Sequence, residues 1–264
     1  KGYSYAEKAK VGLTEIDQTH PFYSLQGSDN MIIITSKYYN ENKSIVIIEP
    51  RNHELLKDTI INALKYKPKD WKVLVFVGKT ANIDHLPKID VEYKRLKVDN
   101  LDAKEYNLLF KSKDFWNQID AEYIQIMQTD SAFCSDSSKR LDQFTKFPYI
   151  GCSYATWAWE GKCRGIGGFS LRKKSFMLKC IEDYPELVDK EKPAEDVFYS
   201  KCLAENKEKY DYEDPNDYDI MNYCVEHSYE DNQKPPIGIH LSYIPEETKK
   251  WMENKCIGGK YLFK

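Results

Sequence analysis

The chain has 264 residues, with 42 acidic against 39 basic side chains, a net charge of −3 and 41% hydrophobic residues. Lys and Arg are spread along the whole length, which argues against nucleic acid as the main partner, since phosphate-binding proteins concentrate positive charge on one face. No apolar run approaches the roughly 18–20 residues that span a bilayer, and the length suits one large α/β domain or two lobes sharing a core.

The chain begins at Lys1 with no Met and no signal-like apolar stretch, so it reads as a domain of a longer protein. Residues 1–43 read as an N-terminal extension to a domain over 44–264, with halves at 44–130 and 131–264. Three short apolar runs then dominate the first half: 44–49 (SIVIIE), 71–77 (WKVLVFV) and 121–127 (AEYIQIM). Between the first two, Leu55, Leu56, Thr59, Ile60, Ala63 and Leu64 recur at three-to-four spacing and predict a helix with one apolar face. Residues 92–98 alternate like a more exposed strand, and 103–110 read as a helix. This order predicts an open, mostly parallel sheet flanked by helices. In such sheets ligands bind beyond the carboxyl ends of the strands, here Glu49-Pro50-Arg51, Gly78-Lys79 and Gln128-Thr129-Asp130.

The second half is less regular. Residues 145–168 are rich in glycine and aromatics, which suits turns and close backbone approach. A helix is predicted over 170–183, another near 194–204, and a turn followed by a short strand over 235–243. The seven cysteines are widely spaced with no Cys-x-x-Cys pair; they read as reduced, mostly buried thiols, which favours a cytoplasmic setting.

Four constellations can carry chemistry. Asp130, in Gln128-Thr129-Asp130-Ser131 after a buried strand, can hold a divalent ion that bridges two phosphates; a strand-closing Asx turn is the competing reading. The glycines of 165–172 (GIGGFSLR) would let backbone N–H groups approach a phosphate or sugar, or form only a tight turn. Glu195-Asp196 at a helix start offers a general base or a cap that suits the helix dipole. His240 can join a carboxylate on a metal ion, or serve as a hydrogen-bonded structural residue.

The order of these segments, and their wording, resembles a glycosyltransferase-like family of the GT-A fold, long labelled as of unknown function. The strings that carry the resemblance are IEPR (48–51), QTDS (128–131), GGFSLR (167–172) and EDVF (195–198), within about 45–240. The resemblance implies a Rossmann-like open sheet with an irregular, acceptor-binding second half. It also implies a hexosyltransferase-type activity, moving a sugar from a nucleotide-sugar donor, UDP-sugar favoured, to a hydroxyl on a glycan or glycoprotein, with inversion and with Mn²⁺ or Mg²⁺.

Placed on this chain, the family pattern sets Gln128-Thr129-Asp130 at the Asp-x-Asp metal motif, with His240 as a late ligand beside Asp130. It sets Glu195-Asp196 at the catalytic base, Asp196 favoured. Gly167, Gly168 and Ser170 would line the sugar pocket, with Arg172 on a phosphate or holding the turn. Pro50 and Arg51 would lie beside the nucleotide, and Trp157 and Trp159 would stack on a sugar or close the core. Gln128 departs from the pattern, leaving Asp130 as the motif's one carboxylate; that favours, as a second reading, a degenerate module that binds a glycan or nucleotide without catalysis. A nucleotidyltransferase is disfavoured, because no Gly-rich basic loop follows the first strand.

Overall fold

The structure, a computed structural model, describes residues 42–153, 163–230, 233–242 and 244–263. Its first half follows the predicted order: β1 (Lys43–Glu49), α1 (Leu56–Tyr66), β2 (Lys72–Val77), β3 (Glu92–Arg95), α2 (Ala103–Phe110), α3 (Lys113–Asn117) and β4 (Tyr123–Met127). Most of the expected extension lies outside the described residues, and Lys43 already belongs to β1. The β-branched run of β1 is what a strand buried on both faces requires. Ile45 and Ile47 pack on one side with Ile60 and Ala63 of α1, while Val46 and Ile48 pack on the other with Phe110 and Trp116.

The chain continues through β5 (Ser131–Phe133), a 3₁₀ segment (Asp136–Phe144), β6 (Tyr149–Cys152), β7 (Ile166–Lys173), α4 (Lys174–Asp183), α5 (Pro185–Val188) and α6 (Glu195–Tyr210). It closes with α7 (Asp217–Tyr223), β8 (Cys224–Val225), β9 (Gly238–His240), α8 (Glu246–Lys255) and a last 3₁₀ turn (Ile257–Phe263). Six strands form the main sheet in the order β3-β2-β1-β4-β7-β6, and β5-β9-β8 form a second, small sheet. β1, β2, β3 and β4 pair in parallel, whereas β7 runs antiparallel to both neighbours, β4 and β6. This is the α/β architecture, an open and mostly parallel sheet flanked by helices, that the sequence predicts.

Two expectations for the second half are corrected. Residues 166–173 form a largely buried strand, paired with β4 over 169–173, rather than a glycine turn leading into a helix, and the helix begins only at Lys174. Six of the seven cysteines are bridged, as Cys134–Cys256, Cys152–Cys224 and Cys180–Cys202, and Cys163 is free. The expectation of reduced thiols therefore fails, and the cytoplasmic placement loses its basis, since such bridges persist in oxidising compartments. They tie α8 to the end of β5, β6 to β8, and α4 to α6. Intact mass before and after reduction under denaturing conditions is expected to differ by six hydrogens, two for each bridge. No helix among the described residues is long and apolar enough to cross a membrane.

Candidate functional site

A cleft of about 440 Å³ opens at the carboxyl ends of β1 and β4, the place where an open α/β sheet exposes its loops. Pro50, Arg51, Gln128, Thr129, Asp130, Gly167, Gly168, Glu195, Asp196 and His240 line it, so ten of the sequence-predicted residues meet in one space. Gly78-Lys79, at the end of β2, does not reach it. Trp157 and Trp159 lie outside the described residues.

The end of β1 is built on Glu49, a carboxylate only 3% exposed. Arg51 folds back on it with Nε donating to Oε1 at 2.8 Å and Nη2 to Oε2 at 2.7 Å, and the Arg51 backbone N–H joins at 3.0 Å. Thr129 Oγ1 reaches the same carboxylate at 3.4 Å, linking the ends of β1 and β4.

The small sheet delivers His240. After β4 the chain turns through Gln128-Thr129-Asp130 into β5, which pairs antiparallel with β9 and sets Ser131 opposite His240. His240 Nε2 then stands 3.2 Å from Asp130 Oδ1 and 3.2 Å from Gln128 Oε1. Its Nδ1 lies 2.9 Å from Oε2 of Glu226, which is 1% exposed. Burial works against the imidazolium, but the carboxylates of Asp130 and Glu226 outweigh it and push the His240 pKa up to about 10. Burial alone would raise Asp130; the His240 cation overrides that and holds its carboxyl below the usual range.

These residues fit a divalent cation. Glu226 occupies Nδ1, the arrangement by which carboxylates orient metal-binding histidines, and Nε2 would serve as the ligand atom on giving up its proton to the arriving cation. Nε2, the Asp130 carboxylate and the Gln128 amide oxygen then form a mixed N/O donor set of the kind Mn²⁺ accepts. Cys152 Sγ also stands within 4.8 Å of ligand atoms of Glu226 and His240, but its bridge to Cys224 removes it as a thiolate. Sequence reasoning missed Glu226, which no motif marks; its pairing with His240 exists only because β8 and β9 are neighbours.

β7 forms the opposite wall, and here glycine is required. A Cβ on Gly167 would stand 2.0 Å from Glu195 Oε1, and one on Gly168 would stand 2.3 Å from His240 Nε2. The two glycines thus let a strand pass where the Glu195 and His240 side chains already are.

Arg172 and Ser170, expected at a phosphate and in the sugar pocket, do not line the cleft; both are fully buried behind it. Arg172 donates from Nη1 to Glu195 Oε2 at 2.6 Å, from Nη2 to Oε1 at 2.9 Å and from Nε to Ser170 Oγ at 2.8 Å. Its guanidinium lies 4.4 Å from the Phe110 ring centroid, with Tyr149, Trp116 and Tyr199 also around it. Arg172 thus ties β7 to the start of α6, a place that suits a buried guanidinium because its fixed fork finds partners on both elements.

Both oxygens of Glu195 are therefore engaged. Asp196, one residue on in the first turn of α6, accepts from the Val197 N–H at 2.7 Å and makes no ion pair among the described residues. Burial, then the charge of Glu195, raises its pKa to about 6; the N–H groups of Val197 and Gly167, and Arg172, offset this in part. Upstream, Lys111 is fully buried and donates from Nζ to the carbonyls of Leu187, Lys190 and Pro193, which fixes the segment leading into α6.

Comparisons with known proteins give a family and a set of distant folds. No curated protein matches the sequence. Among solved structures, the mannosyltransferase PcManGT from Pyrobaculum calidifontis, in complex with GDP-Man and Mn²⁺, is 11% identical with a TM-score of 0.38, covering 52% of this chain and 46% of that one. The apo glycosyltransferase GlyE of Streptococcus pneumoniae TIGR4 is 10% identical with a TM-score of 0.46, covering 84% and 62%. S. aureus TarS 1-349 in complex with UDP-GlcNAc is 11% identical with a TM-score of 0.41, covering 61% and 53%. The chain thus spans about half to three-fifths of the structures it matches, and the chemistry of the cleft has to be read from its own residues. The family model for DUF5672, described as a protein of unknown function, matches residues 90–240. That match takes in more than half of the chain and the whole run from α2 to His240, and the protein belongs to the DUF5672 family.

Proposed function

We propose that the protein is a glycosyltransferase that moves a sugar from a nucleotide-sugar donor to an acceptor hydroxyl by direct displacement. The observation that carries this reading is the meeting, in one cleft, of Asp130 and His240, a pair suited to a cation, with Asp196, a carboxylate that makes no ion pair among the described residues. Pro50 and Arg51 lie beside the nucleotide, and Gly167 and Gly168, on the opposite wall of the cleft, face the sugar. Asp196 takes the proton of the acceptor hydroxyl. That oxygen forms a bond to the anomeric carbon as the bond to the donor's diphosphate oxygen breaks, and the nucleoside diphosphate leaves with the electron pair. A divalent cation held by Asp130, His240 and the Gln128 amide oxygen would offset the charge on the leaving diphosphate. With Glu195 fully engaged by Arg172, Asp196 is the base and Glu195 its support.

The direct test is a donor screen, measuring hydrolysis and transfer with UDP-, GDP- and TDP-sugars in the presence of Mn²⁺ or Mg²⁺. Asp130→Ala is expected to weaken Mn²⁺-dependent binding of the matching nucleoside diphosphate by about 100-fold, the upper end of what losing a support of a metal site costs. Isothermal titration with and without Mn²⁺ reads this, and equal affinities for the two proteins would remove Asp130 from the site. A second reading, a binding module without catalysis, draws on Gln128, which leaves a single carboxylate in the motif. It predicts heat-shift responses to nucleotides together with no turnover of any donor.

A further inference from the structure

Tyr106 is a polar residue of the cleft with no part in the reaction described. It sits on α2, lines the cleft, and its Oη is shielded from solvent without a partner at hydrogen-bond geometry. Among the described residues only one other buried side-chain polar atom shares that condition, Trp251 Nε1, which packs in the separate cluster under the small sheet.

The ring is held firmly. It packs edge-on to Phe110 at 4.9 Å between centroids, and Phe110 lies beneath the Arg172 guanidinium. A capping box between Asp102 and Glu105 fixes the start of α2, and Asn107 ties α2 to α6 by accepting from the Glu195 N–H at 2.8 Å. Gln128 comes within hydrogen-bonding reach of the hydroxyl but not at hydrogen-bond geometry, the charges of Asp130 and Glu195 lie near, and burial raises its pKa and keeps it protonated. A buried hydroxyl without a partner is unfavourable, and phenylalanine would fill the same shape without that cost. A rigid tyrosine there points to a partner that arrives with the ligand.

We infer that the Tyr106 hydroxyl recognises the transferred sugar, donating a hydrogen bond to one of its oxygens. This rests on the glycosyltransferase reading. The diphosphate belongs at Asp130 and His240 and the base is Asp196, so the sugar lies between them, on the stretch that Tyr106 overlooks. Tyr106 is a donor-binding residue here and takes no part in proton transfer.

Tyr106→Phe tests it. In thermal unfolding without ligand, the variant is expected to melt at the wild-type temperature or slightly above. Calorimetric titrations with Mn²⁺ then compare UDP and GDP with UDP-glucose, UDP-galactose, UDP-GlcNAc and GDP-mannose. The sugar nucleotide that wild type binds best is expected to bind the variant about three- to tenfold more weakly, with the affinity for its free diphosphate unchanged. Equal weakening of diphosphate and sugar nucleotide overturns the assignment in favour of a phosphate contact. So does unchanged affinity for both, and a melting temperature lowered by several degrees gives the hydroxyl a structural role instead. A wild-type protein that binds no sugar nucleotide removes the glycosyltransferase reading and this inference with it, an outcome seen before any variant is made.

Discussion

Asp196→Asn is expected to lower sugar transfer by about a hundred- to ten-thousandfold, the range a positioned general base contributes, while donor affinity stays within a factor of two. The Asn side chain keeps the size of Asp and can still accept from the Val197 N–H, so the loss isolates the proton acceptor. In the wild type, the rate is expected to rise with pH along a limb centred near 6, where the Asp196 carboxyl ionises. Stability runs the other way. A carboxyl whose folded pKa is raised from 3.8 to about 6 favours the fold fully below about 3.8, and that contribution is lost as pH rises through about 6. At pH 7 the charged side chain is therefore a burden, with an upper limit of about 3 kcal/mol at 1.36 kcal/mol per pKa unit. Asp196→Asn should accordingly melt above the wild type at pH 7 and lose that advantage near pH 4. Normal transfer by the Asn variant, measured in single turnover, would make the base assignment wrong.

β1, β2 and β4 were legible because they bury both faces and so appear as short, largely apolar runs. The cleft was legible for the same reason: each run stops at a polar string, Glu49-Pro50-Arg51 or Gln128-Thr129-Asp130, and an open sheet gathers such ends. β7 was misread because 165–168 looks like a turn when taken alone. Its glycines answer to Glu195 and His240, which approach it from α6 and β9 and leave no local mark. Arg172 shows the same limit from the other side. An arginine after a glycine pair suggests an anion site, yet Phe110, Trp116, Tyr149 and Tyr199, scattered over the chain, enclose it instead. The disulfides escaped because partners up to 122 residues apart carry no spacing signal.

Glu195→Gln is expected to destabilise the protein by about 3–5 kcal/mol, read as a lowered midpoint in urea unfolding. The substitution keeps the shape of the side chain but leaves the Arg172 guanidinium buried without a balancing charge, and breaking one side of such a pair costs that much. Replacing both partners, Arg172→Met with Glu195→Met, removes the isolated charge and should cost clearly less than the sum of the two single changes. Additive costs would mean that the pair contributes through packing alone. The same Gln variant also reports on the base. After burial, the charge of Glu195 is the largest influence raising the Asp196 carboxyl, and Arg172 already acts to lower it. With Glu195 neutral and Arg172 unbalanced, Asp196 should ionise at lower pH, and the limb of the rate profile should move below 6. A limb that stays near 6 in a folded Glu195→Gln protein would show that Asp196 does not feel the Arg172–Glu195 pair. A limb that moves down would make that buried pair a support that keeps Asp196 basic enough to take a proton near neutral pH.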